Sequence, residues 1–303
     1  MNSTINKHIS LIGVPIDLGA EHRGVDMGPS AVRYARVREK LESLGYDIED
    51  KGDILTSRPG SCFIDGTNLK YLDEIERVNT ELCHMVAGEM EKGRFPLVLG
   101  GDHSIAIGTI SGVLQHKKRL GVIWFDAHGD INTAETSPSG NIHGMPVAVS
   151  FGLGHERLTG VGGREAVLDP KKFVMIGIRD LDPGEKLLLK QLGVLVYTMH
   201  EIDMLGMARV MEEAIRIVSE DTDGVHVSFD MDVMDPLHAP GVGTPVFGGL
   251  TYRESHLAME LIAAANIVSS AEFVEINTVL DHRNQTAKVA VALMGSLLGE
   301  RVL

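Results

Sequence analysis

Acidic and histidine side chains are concentrated directly after three short apolar segments, residues 96–99, 120–125 and 224–229. Carboxylate oxygen and imidazole nitrogen are the ligands that hard and borderline divalent cations prefer. The pattern therefore predicts a metal site. Six candidate ligands stand in these places: His103, Asp126, His128, Asp130, Asp230 and Asp232.

The spacing of the ligands strengthens this interpretation. Asp126, His128 and Asp130 occupy alternate positions, and alternate residues of an extended chain project to the same side. Aspartate after a strand is also common for an ordinary reason, because it caps turns and the helices that follow. Any one of the three segments alone favours capping, whereas all three together favour metal binding.

Charge indicates how many ions the cluster needs. Four carboxylates held close together repel one another, and a single dication would leave about two negative charges in a partly buried site. Two dications bring the cluster near neutrality. An oxygen-rich ligand set with few imidazoles suits manganese better than zinc, although zinc, cobalt and iron remain open. Paired ions lower the pKa of a shared water, which predicts a hydrolytic enzyme.

Other catalytic patterns are absent from the sequence. It contains no GxSxG nucleophile elbow, P-loop or GxGxxG segment, and neither His155-Glu156 nor His200-Glu201 has the second histidine of an HExxH motif. Metal-activated water is the chemistry that remains.

The elements that position these residues alternate along the chain. Apolar runs typical of buried strands occupy residues 9–13, 96–99, 120–125, 173–176, 194–197, 224–229 and 267–276. Helical periodicity occupies residues 29–44, 68–92, 207–219, 252–265 and 286–299. Alternating strands and helices predict an α/β fold with a mostly parallel sheet, whose carboxyl-end loops bind ligands. No linker divides the chain, so we expect one domain over residues 1–303.

Composition excludes several classes of partner. The 42 acidic and 28 basic side chains give a formal charge of −14, which repels phosphate backbones and argues against nucleic acid. No apolar stretch approaches the roughly 18 residues that a membrane span needs, and the amino terminus lacks a signal pattern. The two cysteines, Cys62 and Cys83, show no pattern of a disulfide framework, which fits a reducing compartment. We expect a cytoplasmic protein without membrane partners.

Several segments together make the chain resemble the ureohydrolase family and, within it, the bacterial arginases. The resemblance covers nearly the whole chain. The segments that carry it are residues 13–19, 23–29, 100–104, 126–132, 139–146, 177–185, 228–232, 243–246 and 272–277.

This resemblance implies a fold, an activity and an assembly. The fold is a three-layer arginase-like α/β domain with a central eight-stranded parallel sheet flanked by helices. The activity is the hydrolysis of L-arginine to L-ornithine and urea by a hydroxide that bridges two Mn²⁺ ions per chain. The family commonly assembles as trimers or hexamers, so a homo-oligomer is expected.

The resemblance also assigns roles to the candidate ligands and to three further residues. His103, Asp126, Asp130 and Asp230 would hold one ion, and His128, Asp126, Asp230 and Asp232 the other. Asp130 would also orient the nucleophile. His143 would be the proton shuttle, and Glu275 would pair with the guanidinium group of the substrate. Thr244 would support Glu275 or the leaving group.

The other end of the substrate has its own set of residues by the same resemblance. Asn132, Ser137 and Ser139 would bind the α-carboxylate, while Asp182, with Glu185 nearby, would receive the α-ammonium group. These contacts would separate arginine from its decarboxylated analogue.

One departure and two rival functions are left open by the sequence. Val233 stands where arginases usually have glycine, and a β-branched residue would strain the backbone if positive φ were required there. A sister ureohydrolase such as agmatinase or guanidinobutyrase would share the metal centre but not the carboxylate-binding loop. A non-enzymatic metal- or arginine-binding protein would keep the ligands without turnover.

Overall fold

An eight-stranded parallel β-sheet forms the centre of the structure, a computed structural model that describes residues 7–20, 22–57, 68–163 and 167–303. The neighbouring strands of the sheet all pair in parallel. The strands are β1 (His8–Val14), β2 (Asp47–Asp53), β3 (Phe95–Gly100), β4 (Leu120–Phe125), β5 (Phe173–Ile178), β6 (Leu195–Thr198), β7 (Gly224–Asp230) and β8 (Val268–Val274).

Helices cover both faces of the sheet, which makes three layers. Two apolar clusters fill the space, one on each side of the sheet. The helices are α1 (Gly28–Tyr34), α2 (Val37–Ser43), α3 (Leu72–Glu91), α4 (Ala106–Leu114), α5 (Pro146–Ser150), α6 (Glu156–Thr159), α7 (Pro183–Leu192), α8 (Met199–Leu205), α9 (Met207–Ser219), α10 (Tyr252–Ala265) and α11 (Gln285–Leu297). The cluster against α3, α4 and α5 occupies one face, and that against α1, α9, α10 and α11 occupies the other. The three-layer α/β fold expected from the sequence is confirmed.

The seven apolar runs of the sequence did not include β2, which lies at one edge of the sheet. It pairs only with β1, and its sequence DIEDKGD is almost entirely polar and largely exposed. An edge strand with both faces open to solvent carries no apolar run, so hydrophobicity could not reveal it.

Two helical predictions also needed correction. The segment predicted as one helix over residues 29–44 is two helices, because Arg36 adopts a left-handed conformation with φ of 67° between them. The helix α4 was not predicted, since eight of its nine residues are buried and an apolar helix without a polar face shows no periodicity.

Strand order brings the sequence-predicted site together. The order is β2-β1-β3-β8-β7-β4-β5-β6, so β3, β8, β7 and β4 lie side by side at the centre. Because all strands run in the same direction, their carboxyl ends meet at one edge. His103 follows β3, Asp126 follows β4 and Asp230 ends β7.

Two expectations drawn from composition have a structural counterpart. Within the described parts of the chain, no helix has the length and apolar character needed to cross a bilayer. Of the two cysteines, Cys83 is a buried free thiol in α3, and Cys62 lies outside the described residues.

The turn between β3 and His103 depends on a close backbone approach at Gly101. Its amide donates to Val14 O at 2.8 Å, and a Cβ atom there would lie 1.8 Å from Ile16 O. We expect Gly101→Ala to lower the free energy of unfolding by about 1–3 kcal/mol, as overpacking does. Urea unfolding followed by circular dichroism measures the change.

Gly88→Ala is the matched control. Gly88 lies inside α3, and a Cβ atom there would have no neighbouring atom within 4 Å. Alanine is a better helix former by about 0.8–1.0 kcal/mol, so this variant should be neutral or stabilised. Equal losses in both variants would contradict the packing argument.

Candidate metal centre and adjoining cavity

The imidazole of His103 is surrounded by carboxylates. It is fully buried, and its Nδ1 lies 3.3 Å from Asp126 Oδ2, 3.1 Å from Asp130 Oδ2 and 3.1 Å from Asp230 Oδ2. A ring nitrogen carries at most one hydrogen, so it cannot donate to three acceptors at once. The arrangement fits a metal ion among these atoms better than a set of hydrogen bonds.

A second group of ligands adjoins the first and shares Asp126 with it. His128 Nδ1 lies 3.5 Å from Asp126 Oδ1 and 3.0 Å from Asp232 Oδ2. The ligand atoms of His103, Asp126 and Asp230 lie within 4.8 Å of one another, and so do those of Asp126, His128 and Asp232. Asp126 presents one oxygen to each imidazole, which is the geometry of a bridging carboxylate.

Neighbouring groups hold these side chains in place. Trp124 Nε1 donates to Asp126 Oδ2 at 2.9 Å, and its ring stacks on the His103 ring with centroids 4.1 Å apart. The backbone amide of His128 donates to Asp126 Oδ1 at 2.7 Å, and that of Ala127 to Asp232 Oδ1 at 3.1 Å. Ordered outer contacts of this kind fix the direction in which a ligand points.

Electrostatics show that the cluster requires positive charge. Burial, together with the nearby Asp232 and Asp126 carboxylates, raises the pKa of Asp230 well above its usual range. Burial and Asp126 raise the pKa of Asp130 to about 7. Burial also opposes ionisation of Asp126, but the His103 and His128 imidazoles outweigh it and hold its pKa below the usual range. Divalent cations would replace the missing countercharge, so the donor set fits them.

A cavity of about 140 Å³ opens beside the cluster. It brings most of the sequence-predicted site residues together with the loop between β4 and α5 and the start of α7. The predicted residues that line it are His128, Asp130, Asn132, Ser137, Ser139, His143, Asp182, Glu185, Asp230, Asp232 and Thr244, with Pro138, Asn141 and Gly144 completing the wall.

The end of the cavity away from His103 is built from the loop after β4 and the start of α7. Asn132 Nδ2 donates to Asp182 Oδ2 at 3.0 Å. Glu185 accepts from the amides of Ile131 at 3.2 Å and Asp182 at 2.9 Å. Glu185 therefore ties the two segments together with both of its carboxylate oxygens. Lys70 Nζ donates to Asn141 Oδ1 at 2.8 Å, so the side-chain amide nitrogen of Asn141 points away from Lys70.

Glu275 lies between the metal cluster and the cavity. One oxygen, Oε1, accepts from the His103 amide at 2.9 Å and lies 3.2 Å from His143 Nδ1. The other, Oε2, is buried without a hydrogen-bond partner among the described residues. Glu275 follows β8 with φ of 64°, a left-handed conformation that is uncommon outside glycine and concentrates at functional sites. An unpartnered buried carboxylate oxygen is a binding position for a cation.

Thr244 lies within reach of the cluster as well. Its hydroxyl donates to Asp232 Oδ2 at 3.0 Å. The preceding residue, Gly243, borders Glu275 Oε2, since a Cβ atom there would lie 3.3 Å from that oxygen. The loop thus contacts Glu275 through Gly243 and the metal ligand through Thr244.

Val233 does not adopt the positive φ that would have strained a β-branched residue. Val233 ends a 3₁₀ turn, Met231–Val233, and is absent from the described residues with positive φ. The left-handed residue is instead its neighbour in space, Gly177, with φ of 94°. A Cβ atom on Gly177 would lie 2.3 Å from Val233 Cγ2, so the valine side chain fills the space over that glycine.

Arg179 supports the site without having been predicted to do so. Its guanidinium donates to the carbonyl oxygens of Asp232 at 2.7 Å, Val233 at 3.1 Å and Val246 at 2.7 Å. It therefore binds the segment after β7 to the loop that carries Thr244. Residues 177–185 contain Arg179 and formed part of the family resemblance, but that resemblance could not say which backbone the side chain would contact.

His143 gives a titration that tests the pairing with Glu275. Burial alone would lower its pKa, but the Glu275 carboxylate outweighs burial and raises the pKa of His143 to about 9. In the metal-free protein we expect His143 to titrate near pH 9, and Glu275→Gln to move its pKa down toward the ordinary 6.5, because the main raising charge is lost. Histidine-labelled NMR measures the titration.

Assignment of that signal comes from its loss in His143→Asn. His84 is the control, because it is exposed on α3 and makes no contact with Glu275. Its NMR signals should be the same in wild type and in Glu275→Gln. An unchanged His143 titration in Glu275→Gln would show that the pair does not form.

Comparison with known proteins agrees with the geometry. The arginase family model matches residues 7–299. The chain is 60% identical to an arginase from Brevibacillus brevis over 299 residues, covering 99% of this chain and 100% of that protein. It is 61% identical to an arginase from Bacillus caldovelox over 298 residues, covering 98% and 100%. The solved native structure of Bacillus caldovelox arginase superposes with a TM-score of 0.96 at 60% identity, covering 98% of this chain and 100% of that one. The chain therefore belongs to the arginase family.

Proposed function

We propose that the chain hydrolyses L-arginine to L-ornithine and urea with two manganese ions held by the buried His/Asp cluster. The observation that carries the proposal is the position of Glu275 Oε2, a buried carboxylate oxygen without a partner among the described residues, beside that cluster. It offers a guanidinium group a binding partner next to the metal centre. The arginase names of relatives about 60% identical over the full chain support the same activity.

The ions would be held as two overlapping sets. His103, Asp126, Asp130 and Asp230 would form one, and His128, Asp126, Asp230 and Asp232 the other. Oxygen ligands predominate in both, which favours manganese over softer ions. When bound, the pair would supply an activated water near neutral pH. Asp130 lines the cavity and would accept a hydrogen bond from the attacking water.

Glu275 would hold the guanidinium group by charge-assisted hydrogen bonds. A guanidinium carbon is a poor electrophile, so fixing it beside the nucleophile removes much of the entropic barrier. Glu275 Oε1 stays occupied by the His103 amide and His143, which leaves Oε2 for the substrate. The substrate would therefore be positioned without displacing an existing contact.

His143 would provide the proton that the leaving amine requires. The imidazole lines the cavity and lies 3.2 Å from Glu275 Oε1 through Nδ1. A donor beside the guanidinium-binding carboxylate is within reach of the nitrogen that leaves as ornithine. His143 would regain this proton from the attacking water, whose oxygen ends in urea and whose two hydrogens end on the departing amine, so arginine and water balance with ornithine and urea.

The polar end of the cavity would recognise the amino acid part of the substrate. Ser137, Ser139 and Asn132 would bind the α-carboxylate, and Asp182 the α-ammonium group. All four line the cavity. Agmatine lacks the α-carboxylate, so this end favours arginine over the substrate of a sister ureohydrolase. Glu185 would act by holding Asp182 and the Ile131 amide in place.

The remaining expectations from the sequence are part of the same proposal. A cytoplasmic location is proposed from the sequence pattern and cysteine usage, and a homo-oligomer, trimer or hexamer, from the family resemblance. Size-exclusion chromatography with light scattering measures the assembly.

Urea release from purified protein tests the function directly. With added MnCl₂ we expect the wild-type chain to release urea from L-arginine and much less from agmatine at equal concentration. Asp126→Ala should abolish both metal retention and urea release, because it removes the carboxylate that faces both imidazoles. Colorimetric urea assay and atomic emission measure the two quantities.

Asp203→Ala is the control, since Asp203 is exposed on α8. It should keep wild-type activity. Faster release from agmatine than from arginine would indicate a sister ureohydrolase, and manganese binding without urea release would indicate a binding protein. Undiminished activity in Asp126→Ala would refute the site.

A further inference from the structure

A stripe of polar side chains runs through the centre of the sheet below the metal cluster. His226 and Ser228 lie on one face of β7, and Ser270 and Glu272 lie opposite them on β8. All four residues are 0% exposed. Burying ionisable groups among apolar neighbours costs free energy unless they are paired, so a stripe of this kind requires a reason. The proposed chemistry does not use any of the four.

The stripe reaches His103 through one hydroxyl. Ser228 Oγ donates to Glu272 Oε1 at 2.8 Å and lies 2.7 Å from His103 Nε2. A hydroxyl has a single hydrogen, which Glu272 takes here. Ser228 can therefore only accept from His103, which must carry a proton on Nε2. When Nδ1 has lost its own proton to make room for a metal ion, its lone pair then faces the carboxylate cluster.

We propose that Glu272 is a positioning residue for the metal ligand His103 and acts through Ser228. The carboxylate sets the direction of the hydroxyl, and the hydroxyl sets which imidazole nitrogen is free to bind a metal ion. The inference rests on the metal centre proposed above, but not on the identity of the substrate.

His226 keeps Glu272 in the form that this arrangement needs. A protonated Glu272 could donate to Ser228 and reverse the direction of the chain. His226 Nε2 lies 3.4 Å from Glu272 Oε1, and His226 Nδ1 lies 2.9 Å from Ser270 Oγ. Burial alone would raise the pKa of Glu272, but the adjacent His226 imidazole acts in the opposite direction, and the pKa lies below its usual range.

Among the described residues, no contact joins the stripe to His128, the second imidazole of the cluster. The side chain of His128 is 25% exposed, and its ion pairs within the described residues are those with Asp126 and Asp232. The stripe therefore supports one of the two metal positions. Loss of Glu272 should weaken the binding of one ion and spare the other.

Manganese binding by a pair of variants tests the proposal. Metal-free wild-type protein and Glu272→Gln are dialysed against graded free MnCl₂, and bound manganese per chain is measured by atomic emission. We expect one of two binding steps to weaken about tenfold in Glu272→Gln, the lower end of the effect of outer ligand contacts. In a Ser228→Ala background, Glu272→Gln should cause no further loss, because the link to His103 is already broken.

A second buried serine–glutamate pair in the same sheet provides the control. Ser10 Oγ on β1 donates to Glu89 Oε2 on α3 at 2.7 Å, and neither residue contacts the metal cluster. Ser10→Ala should leave both manganese steps unchanged even where it lowers the thermal midpoint. This separates loss of a buried hydrogen bond in general from loss of the link to His103.

Two results would overturn the proposal. One is a folded Glu272→Gln with wild-type manganese affinity at both steps, and the other is an equal loss with and without Ser228→Ala. Thermal unfolding of the metal-free proteins verifies folding. Should Glu272→Gln not fold, Glu272→Asp replaces it with the same expectation, since a shorter side chain loses the contact with Ser228. Urea release by the wild-type chain is measured separately, so failure of the proposed function would not register in this binding assay.

Discussion

Repulsion among buried carboxylates is the constraint on which the rest of the site depends. Asp126, Asp130, Asp230 and Asp232 are all nearly inaccessible to solvent, and this burial, together with their closeness, raises the pKa of Asp130 and of Asp230. In the chain alone, nearby imidazoles, the Arg179 guanidinium and a few N–H donors oppose this repulsion. The sheet must therefore hold the four side chains in place against it. Parallel strands suit this task, because their hydrogen bonds keep the carboxyl ends of β3, β4, β7 and β8 at one edge. The carboxylates that repel one another would each attract a bound divalent cation, so the same negative charge would favour metal binding.

The backbone is strained at two positions of this arrangement. Asp130 has φ of 47° and Glu275 has φ of 64°, and left-handed residues other than glycine cost about 1–2 kcal/mol. Each is held by neighbours that define the turn. The Glu275 amide donates to Gly101 O at 2.8 Å, and the carbonyl of Asp130 accepts from the Val147 amide at 2.9 Å. The strained conformations direct both carboxylates inward, where a regular strand end would not place them.

The sequence could predict residues whose role follows from their local pattern. His103, Asp126 and Asp230 come directly after apolar strands, and strand ends are visible in a sequence. Contacts across the sheet are not visible, because they depend on register. Ser228 faces Glu272 only because β7 and β8 pair as they do, and no local pattern marks His226 as a neighbour of Glu272. The same limit applies to Arg179, whose carbonyl partners come from distant turns, and to β2, whose polar residues pair at an edge.

Glu275 connects the two halves of the proposed chemistry. Its Oε1 accepts from the backbone amide of His103, the residue that also supplies a metal ligand, and it faces the imidazole of His143. Its Oε2 is left for a guanidinium group. In the proposed function, one carboxylate at the end of β8 would therefore position the substrate beside both the proton donor and the metal cluster. In that proposal, a guanidinium group bound there would have its leaving nitrogen near His143, which lies 3.2 Å from the same carboxylate. Preorganisation of this kind reduces the entropic cost of bringing three reacting groups together.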